Sequence, residues 1–574
     1  MDTETTSLRQ DEWELLGISF SDGKNSGYIP VGHKQLDGTL LPGQVSLPWL
    51  IEFLNEEVFH EKKKVIAHNF VYDYKVLKTI GVDLYSHEWF DTMVASHLLD
   101  ENDKHGLKHL VLKYFGDDYG IDIQNASKIP LDEVAVYACK DAYYTYKLSE
   151  MFYPRLLEEE LDKLFFKIEM PFLRAIGDME LEGVLVDWEK VRATTAQLKK
   201  ELTSLEEQMY CCLEEGYSLQ TSLYGDEVYI VGKYNFNSSQ QLKEIIINKL
   251  GLTIDSTTPS GEASTGKNSL EALRGSHEFI DLLLKHRELS KLKNAFFEPL
   301  PRFRQKDDKV RCSFHDTGTR TGRLSSSEPN LQQLPKSSEH LNIGTRSCFI
   351  APSGYRMITC DYSGQELRVL AHITGCEPMI KAFKEGADFH QATADRFGVD
   401  RTKAKAINFG VAYGKSAYGF SQDWGVTEEE AQKFLDDYFE SFPEIKSKIE
   451  ATIEQVKNQG WVSSLTGRRR RFVPNEQGYH PSSSFRQAFN FLIQGFSADM
   501  IRIAAIKCLN LIRRNPSWGL RMIFTVHDEV GFIVKEEHLE EAVRNIKDCF
   551  ETAVKLRVPL VADVGIGDNY AEAK

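Results

Sequence analysis

A chain of 574 residues is long enough for three or four core-bearing units, and its 41% apolar and 11% aromatic content fits packed globular structure. The formal net charge of −16 excludes a uniformly basic nucleic-acid binder, so any grip on phosphates must come from locally concentrated Lys and Arg. Nine dispersed cysteines without a Cys-x-x-Cys pair exclude a zinc ribbon or a disulfide framework, and no apolar run approaches the length of a membrane span.

In chain order, Asp2 and Glu4 come first, two residues apart and therefore on one face of a strand. Further strands are predicted at Trp13 to Phe20 and Gly27 to Val31, followed by helices, which makes an α/β domain ending near residue 150. Asn69 and Asp73 are four apart on a predicted helix, as are Tyr137 and Asp141, so each pair shares a helix face. Asp-x-Glu alone carries no weight, and acids on an α/β surface are usually just solvated. The set gains meaning from its order and from the strings His68-Asn-Phe-Val-Tyr-Asp73, Phe90-Asp-Thr-Met93 and Tyr137-Ala-Cys-Lys-Asp141. Asp2 directly follows Met1, so its strand has no apolar run-up, and chain ends fray unless tied down. An α-amino group beside the acids would also compete with cations. Chemistry at this acid set is therefore expected to be weaker or more metal-dependent than chemistry elsewhere in the chain.

From Glu158 the pattern turns helical and charged, with amphipathic stretches around 160–210 and 278–297, so residues 151–310 read as a helical arm. Within it Tyr217 to Val231 reads as a strand pair around Tyr224-Gly225-Asp226, and Thr257 to Lys267 as a Ser/Thr/Gly-rich loop. Lys285 to Arg311 holds nine Lys or Arg against four acids, and Arg468 to Arg471 is an unbroken basic run. Charge runs usually form solvated faces. The motifs further along the chain turn the expectation for the first toward contact with a nucleic-acid backbone, while both readings stay open for the second.

Asp361 ends the apolar run Met357-Ile358-Thr359-Cys360, and Val526-His527-Asp528-Glu529 lies between two β-rich runs. Two strands thus each deliver a carboxylate to a turn. Hard divalent cations take oxygen ligands, and a pair of them about 4 Å apart clamps both oxygens of a phosphoryl transfer. Strand-end acids are also ordinary turn residues, so the neighbours must decide. Between the acids, Arg401, Lys405, Phe409 and Tyr413 fall within roughly 120° on one helix face. That stripe is cationic at one end and aromatic at the other, the polarity of a nucleoside triphosphate. A plain amphipathic helix would bury its aromatics and solvate its cations instead.

With these residues in place, the chain resembles family A DNA polymerases, the bacterial polymerase I and phage replicative group. Three motifs stand in family order: Asp361-Tyr-Ser-Gly-Gln-Glu366-Leu-Arg368, then Arg401 to Gly414, then His527-Asp528-Glu529. Around them lie Thr321-Gly-Arg323-Leu-Ser-Ser, Pro329-Asn-Leu-Gln-Gln333, Asp388-Phe-His390 and Arg486 through Asn490 to Gln494-Gly495, so the resemblance covers residues 315–574. The amino-terminal acids resemble the DEDD-type 3′–5′ exonuclease that this family uses for proofreading. The resemblance implies an α/β and α+β multidomain chain. An RNase H-like exonuclease (1–150) would be followed by a right-hand polymerase with thumb (151–310), palm (311–380 and 496–574) and fingers (381–495).

The resemblance also implies roles. Asp361 and Asp528, with Glu529 beside them, would hold two Mg²⁺ ions, with Mn²⁺ as an alternative. Arg401, Lys405 and His390 would bind the β and γ phosphates, Lys405 donating a proton to the leaving pyrophosphate. Phe409 would pack on the sugar and disfavour dideoxynucleotides; Tyr413 would stack at the template position and, with Glu366, exclude a ribose 2′-hydroxyl. Arg323, Gln494 and His527 would touch the primer terminus and the minor groove, whose acceptors are common to all base pairs. Gln365, Arg486 and Asn490 join the substrate-binding set through the same motifs. Asp2, Glu4, Asp73 and Asp141 would hold the exonuclease metals, with Tyr137 positioning the attacking water and Asn69 binding substrate. One departure stands out: the family usually has Gln then Ile before the motif glutamate, where this chain has Gly364 and Gln365, and fidelity is expected to feel this more than activity. The expected partners are primer-template DNA and deoxynucleoside triphosphates, met by a monomer in a reducing bacterial or phage-infected cytoplasm, away from membranes. With no 5′ nuclease sequence before the first acid, phage-like replication or gap filling is expected over nick translation. A nuclease that has lost polymerisation, or a replisome scaffold, would have no reason to keep both acid sets.

Overall fold

The computed structural model describes residues 1–119, 126–221, 228–258, 261–334, 344–478 and 480–574. It divides into two units, one of Met1–Gly183, Arg311–Ser327 and Ser353–Ile566, the other of Val184–Val310, Glu328–Pro352 and Gly567–Lys574. The first domain boundary is expected at residue 150. It falls inside the continuous helix Leu131–Glu158, and the next helix, Met170–Glu182, still belongs to the first unit. Gly177 explains the close seating of that helix: a Cβ there would lie 2.6 Å from the buried Tyr74 ring. Tyr74 Oη also donates to Asp178 at 2.7 Å.

The first unit begins with strands Asp2–Thr5, Leu15–Ser21 and Ser26–Pro30, paired antiparallel in that order, and a parallel pair, Lys64–Ala67 with Glu88–Asp91. The expected strands are present with ends shifted by one or two residues. The Met1 nitrogen donates to Ile66 O at 2.8 Å and Met1 is buried, so the first strand is joined to the parallel pair. This corrects the expectation of a frayed start. Leu16, Ile18, Phe70, Trp89 and Phe90 form the core beneath.

Further along, the same unit holds a four-stranded sheet in the order Arg521–Val526, Glu529–Lys535, Tyr355–Tyr362, Ala562–Gly567. Val, Ile and Phe on the first three of these strands are buried, and the helices Ser482–Arg514 and Leu539–Glu551 pack on one another beside the sheet. Between its first and later strands lies a helical stretch from Gln365–Thr374 to Pro443–Gln459, closed by the hairpin Trp461–Ser463 with Arg469–Arg471. The change of region expected at residue 495 falls inside the unbroken helix Ser482–Arg514.

The second unit contains the helices Trp188–Cys212 and Glu278–Leu292 around a core of Met209, Tyr210, Phe236, Leu242, Phe279 and Leu283. The expected hairpin is present as Tyr217–Thr221 with Val228–Gly232, while Tyr224-Gly225-Asp226 lies outside the described residues. Thr257 bridges Ala263 across the expected loop, of which residues 259–260 also lie outside. Several cations of the 285–311 stretch have protein partners: Arg304 pairs with Asp308 at 2.6 Å, Lys293 with Glu298 at 3.4 Å, and Arg287 donates to the Thr265 carbonyl. Among the described residues no helix is long and apolar enough to cross a membrane.

Candidate functional site

Asp361 is the penultimate residue of its strand and lies directly across from Glu529. Val526 and Glu529 pair across the neighbouring hairpin, which leaves His527 and Asp528 as its two-residue turn. Such tight turns call for a left-handed residue, and His527 has φ +57°. Asp361, Asp528 and Glu529 are thereby collected at one end of one sheet, although some 165 residues separate the first from the others. Glu529 is 1% exposed; Asp361 and Asp528 are half-buried. Carboxylate oxygens of this kind fit a hard cation such as Mg²⁺. Among the described residues no three His, Cys, Asp or Glu side chains form a ready-made metal cage.

The helix Arg401–Ala412 starts at Asp400, whose side chain accepts from Lys403 N at 2.9 Å. Its Ala404, Ile407, Asn408 and Val411 are buried, whereas Arg401, Lys405 and Tyr413 are exposed and Phe409 is half-buried. The cationic and aromatic stripe is therefore the open face, not the core face. Phe409 and Tyr413 stack with centroids 6.0 Å apart and planes 23° apart. His390 stands 5.6 Å from the Phe409 ring, and its Nδ1 lies 3.1 Å from the Asn408 amide nitrogen. That amide donates to Nδ1, which leaves Nε2 as the N–H donor. Burial, then the nearby Arg401 and Lys405, lower the His390 pKa against the opposing pull of Asp388, so the ring serves as a neutral donor. Asp388 ties the group together, accepting from Arg401 Nε at 2.6 Å and from His390 N at 2.9 Å.

Glu366 joins this helix to the acid-bearing sheet. Tyr413 Oη donates to one of its oxygens at 2.5 Å and Arg323 Nη2 to the other at 2.6 Å. Two residues before it, Gly364 has φ +63° and opens the helix that carries Glu366. Gln365 is buried and donates to Ser497 O at 3.0 Å. That geometry makes it a residue packing two helices together, in place of the substrate contact expected of it. Arg486, Asn490 and Gln494 recur every fourth position on the helix Ser482–Arg514. They are exposed or half-buried while Ala488, Phe489, Phe491, Leu492 and Ile493 are buried, so they form the one open polar stripe on this stretch.

In the amino-terminal set, Asp2 and Glu4 share the half-buried face of their strand, with Thr3 and Thr5 turned inward. Asp73 accepts from Thr3 N at 2.8 Å and from its hydroxyl at 2.7 Å. Asp91 accepts from Phe70 N at 2.8 Å, Asn69 N at 3.2 Å and Met93 N at 2.8 Å, which fixes the helix carrying Asp73 and the left-handed Asn69 before it. Burial and then the neighbouring acids push Glu4 up to about 8; burial pushes Asp73 up to about 7 and raises Asp2 and Asp141 as well. Acids that disfavour one another's charge fit a bound cation. Tyr137 is hydrogen-bonded to Asp141, as is Tyr119 at 2.6 Å. A residue missed from the sequence, Lys108, contacts Asp141 and sits 3.9 Å above each of these two rings.

The Arg468–Arg471 run is neither a solvated face nor an open basic patch. Arg468 pairs with Asp499 at 2.6 Å and with Glu169; Arg469 and Arg471 share Glu159, and Arg470 and Arg471 share Glu101. Arg502 completes the buried part by pairing with Glu169 and Asp316. Two arginines thus face three buried acids. Burial pushes Asp316 up to about 7, while Arg468 and Arg502 overcome burial to hold Glu169 down at about 2.

Comparison with known proteins gives the following. Residues 189–572 match the sequence profile described as DNA polymerase family A, and residues 1–157 match that of a 3′-5′ exonuclease. The thermostable DNA polymerase I of Thermus filiformis is 36% identical over 499 residues, covering 84% of this chain and 55% of the relative. DNA polymerase I of Pseudomonas aeruginosa is 32% identical over 601 residues, 100% of this chain and 63% of the relative. That of Borreliella burgdorferi is 33% identical over 595 residues, 100% and 62%. The chain thus spans between 55% and 63% of the length of these relatives. All three are bacterial, which lends no support to the phage-like part of the expectation. A solved structure of the POL domain of Pol1 from M. smegmatis, in complex with DNA primer-template and dNTP, matches with a TM-score of 0.83. It does so at 25% identity over 98% of this chain and 94% of that one.

Proposed function

This chain belongs to DNA polymerase family A, and we propose that it extends a DNA primer on a DNA template with deoxynucleotides and proofreads with its amino-terminal exonuclease. The observation that carries this reading is the Tyr413–Glu366–Arg323 linkage, which ties the open cationic and aromatic face to the helix that directly follows the Asp361 strand. Asp528 is close enough to raise the Tyr413 pKa, after burial and Glu366. Asp361 and Asp528, with Glu529 behind them, would hold Mg²⁺ or Mn²⁺. Such ions lower the pKa of a primer 3′-hydroxyl and offset charge on the triphosphate.

The remaining groups bind and orient. Arg401 and Lys405 supply positive charge for the β and γ phosphates, His390 adds an N–H donor, and Lys405 is placed to protonate the leaving pyrophosphate. Phe409 offers a flat wall to the sugar, and its lack of a hydroxyl disfavours dideoxynucleotides. Tyr413, held by Glu366, leaves no room for a 2′-hydroxyl. Arg323, Arg486, Asn490, Gln494 and His527 face the primer-template duplex. In the editing site Asp2, Glu4, Asp73 and Asp141 would hold metal, with Tyr137 orienting water and Asn69 contacting the strand. Lys108 on Asp141 supports the reading that editing needs more divalent cation than synthesis does.

Primer extension by the wild type and by Asp528→Ala tests the assignment. The substitution is expected to slow extension on the order of a thousandfold. Unchanged extension would show that this carboxylate has no catalytic part.

A further inference from the structure

The loop from Asp316 to Arg323 delivers Arg323 to Glu366, and almost every hold on it comes from outside the polymerase motifs. Thr319 O accepts from His97 Nε2 at 3.0 Å, and Thr317 Oγ1 lies 3.5 Å from Met93 Sδ. His97 and Met93 both sit on the helix Thr92–Leu99 of the editing module. The Gly322 carbonyl and the Asp316 carboxylate accept from the two ends of the Arg502 guanidinium. Arg502 in turn rests on Glu169, which also binds Arg468. Gly322 has φ +79°, and a Cβ there would stand 2.7 Å from Arg468 Nε, so only glycine fits between loop and guanidinium. Within the loop, Thr319 Oγ1 donates to Arg323 O at 2.6 Å and carries the His97 hold on to Arg323 itself.

These contacts are buried and directional. Arg468, Arg502, Glu169 and Asp499 are each at most 4% exposed at the side chain, and His97 is 4% exposed. A charged network of this kind fixes one arrangement, because losing any partner strands an unpaired charge. Arg323 itself is more open, with its side chain 38% exposed. A long exposed arginine has many rotamers, and a fixed backbone beneath it cuts the entropy lost when it makes a directed contact.

We infer that His97, acting through Thr319, together with the buried Arg468 and Arg502, positions Arg323 for the primer-terminal base pair, so that the editing module serves as a structural partner of the polymerising site. This rests on the reading of Arg323 as the primer-terminus contact. His97 is a positioning residue and touches no substrate.

The test compares single-nucleotide extension from two primers that differ only in the terminal base, one normal and one whose minor-groove acceptor nitrogen is replaced by C–H. The ratio of the two rates is internal to each protein preparation, so partial unfolding cancels. Wild-type protein is expected to lose about tenfold on the altered primer, the worth of a charge-assisted hydrogen bond. Arg323→Ala is slow on both primers and indifferent to the change. His97→Ala and Thr319→Val are expected to shrink the ratio to about twofold. His97→Gln, whose amide can still donate to Thr319 O, restores most of it. If Arg323→Ala loses the discrimination while His97→Ala and Thr319→Val keep the full wild-type ratio, the positioning role is overturned. If Arg323→Ala keeps the ratio, the reading of Arg323 fails and takes the inference with it.

Discussion

The two acid sets solve one electrostatic problem in opposite ways. Asp361 and Asp528 are half-buried at the end of a four-stranded sheet, and Arg323 pairs with a third acid, Glu366. Burial and then one another's charge raise Asp2 and Glu4, burial raises Asp73 and Asp141, and the chain lays its own ammonium, Lys108, on the last of them. The difference teaches where a divalent ion must compete. At the amino-terminal site an incoming ion would have to displace or share with a resident cation, Lys108 on Asp141.

The sharpest way to break this comparison is to remove one carboxylate from each site. Asp361→Ala should lower primer extension on the order of a thousandfold and leave digestion of a mismatched 3′ end intact, while Asp141→Ala should do the reverse. Equal loss of both activities in either protein would mean the sites are not separate. A second test follows from the raised acids. Native pKa values of about 8 for Glu4 and about 7 for Asp73 exceed their unfolded values, so the native state binds more protons than the unfolded chain in between. Stability is then fully present at low pH and is lost as pH rises through those native values. Without divalent cation, the unfolding midpoint should fall between about pH 5 and pH 9, and Mg²⁺ should restore it most at the alkaline end. A midpoint flat across that range would remove the repulsion argument.

Lys108→Met sharpens the comparison further. The Mg²⁺ concentration for half-maximal exonuclease activity is expected to drop about tenfold, with that for primer extension unchanged. Titration of Mn²⁺ by calorimetry provides a check independent of turnover. The smallest effect is expected for Gln365→Ala, which deletes the hydrogen bond to Ser497 O. It should cost about 1 kcal/mol in denaturant unfolding and leave the extension rate close to wild type.

Much of this was legible in the sequence where local periodicity carried it. Arg401, Lys405, Phe409 and Tyr413 announce their shared face by spacing alone, and Asp361 and Asp528 by their places after β-rich runs. The resemblance to family A then assigned roles that spacing cannot. What escaped was long-range pairing. Glu169 and Arg468 are 299 positions apart, and no local pattern links them, so the arginine run could be seen but not its partners. Lys108 and Asp141 are 33 positions apart, and no local pattern links them either. The boundary at 150 lies a few residues short of the end of the exonuclease match at 157, because the unbroken helix Leu131–Glu158 gives no local signal until it stops. Gln365 was misread because its motif position says nothing about which way a helix-opening residue turns.

The arginine-rich hairpin has a last consequence, for dissection of the chain. Glu101, Glu159 and Glu169 all come from the amino-terminal third, so a polymerase fragment cut free of it would lose every one of those counter-charges together. Its four successive guanidiniums, with Asp499 and Asp316 left near the first of them, would become an adhesive patch for any polyanion, and such a fragment would hold nucleic acid with less regard for a primer end than the intact chain does.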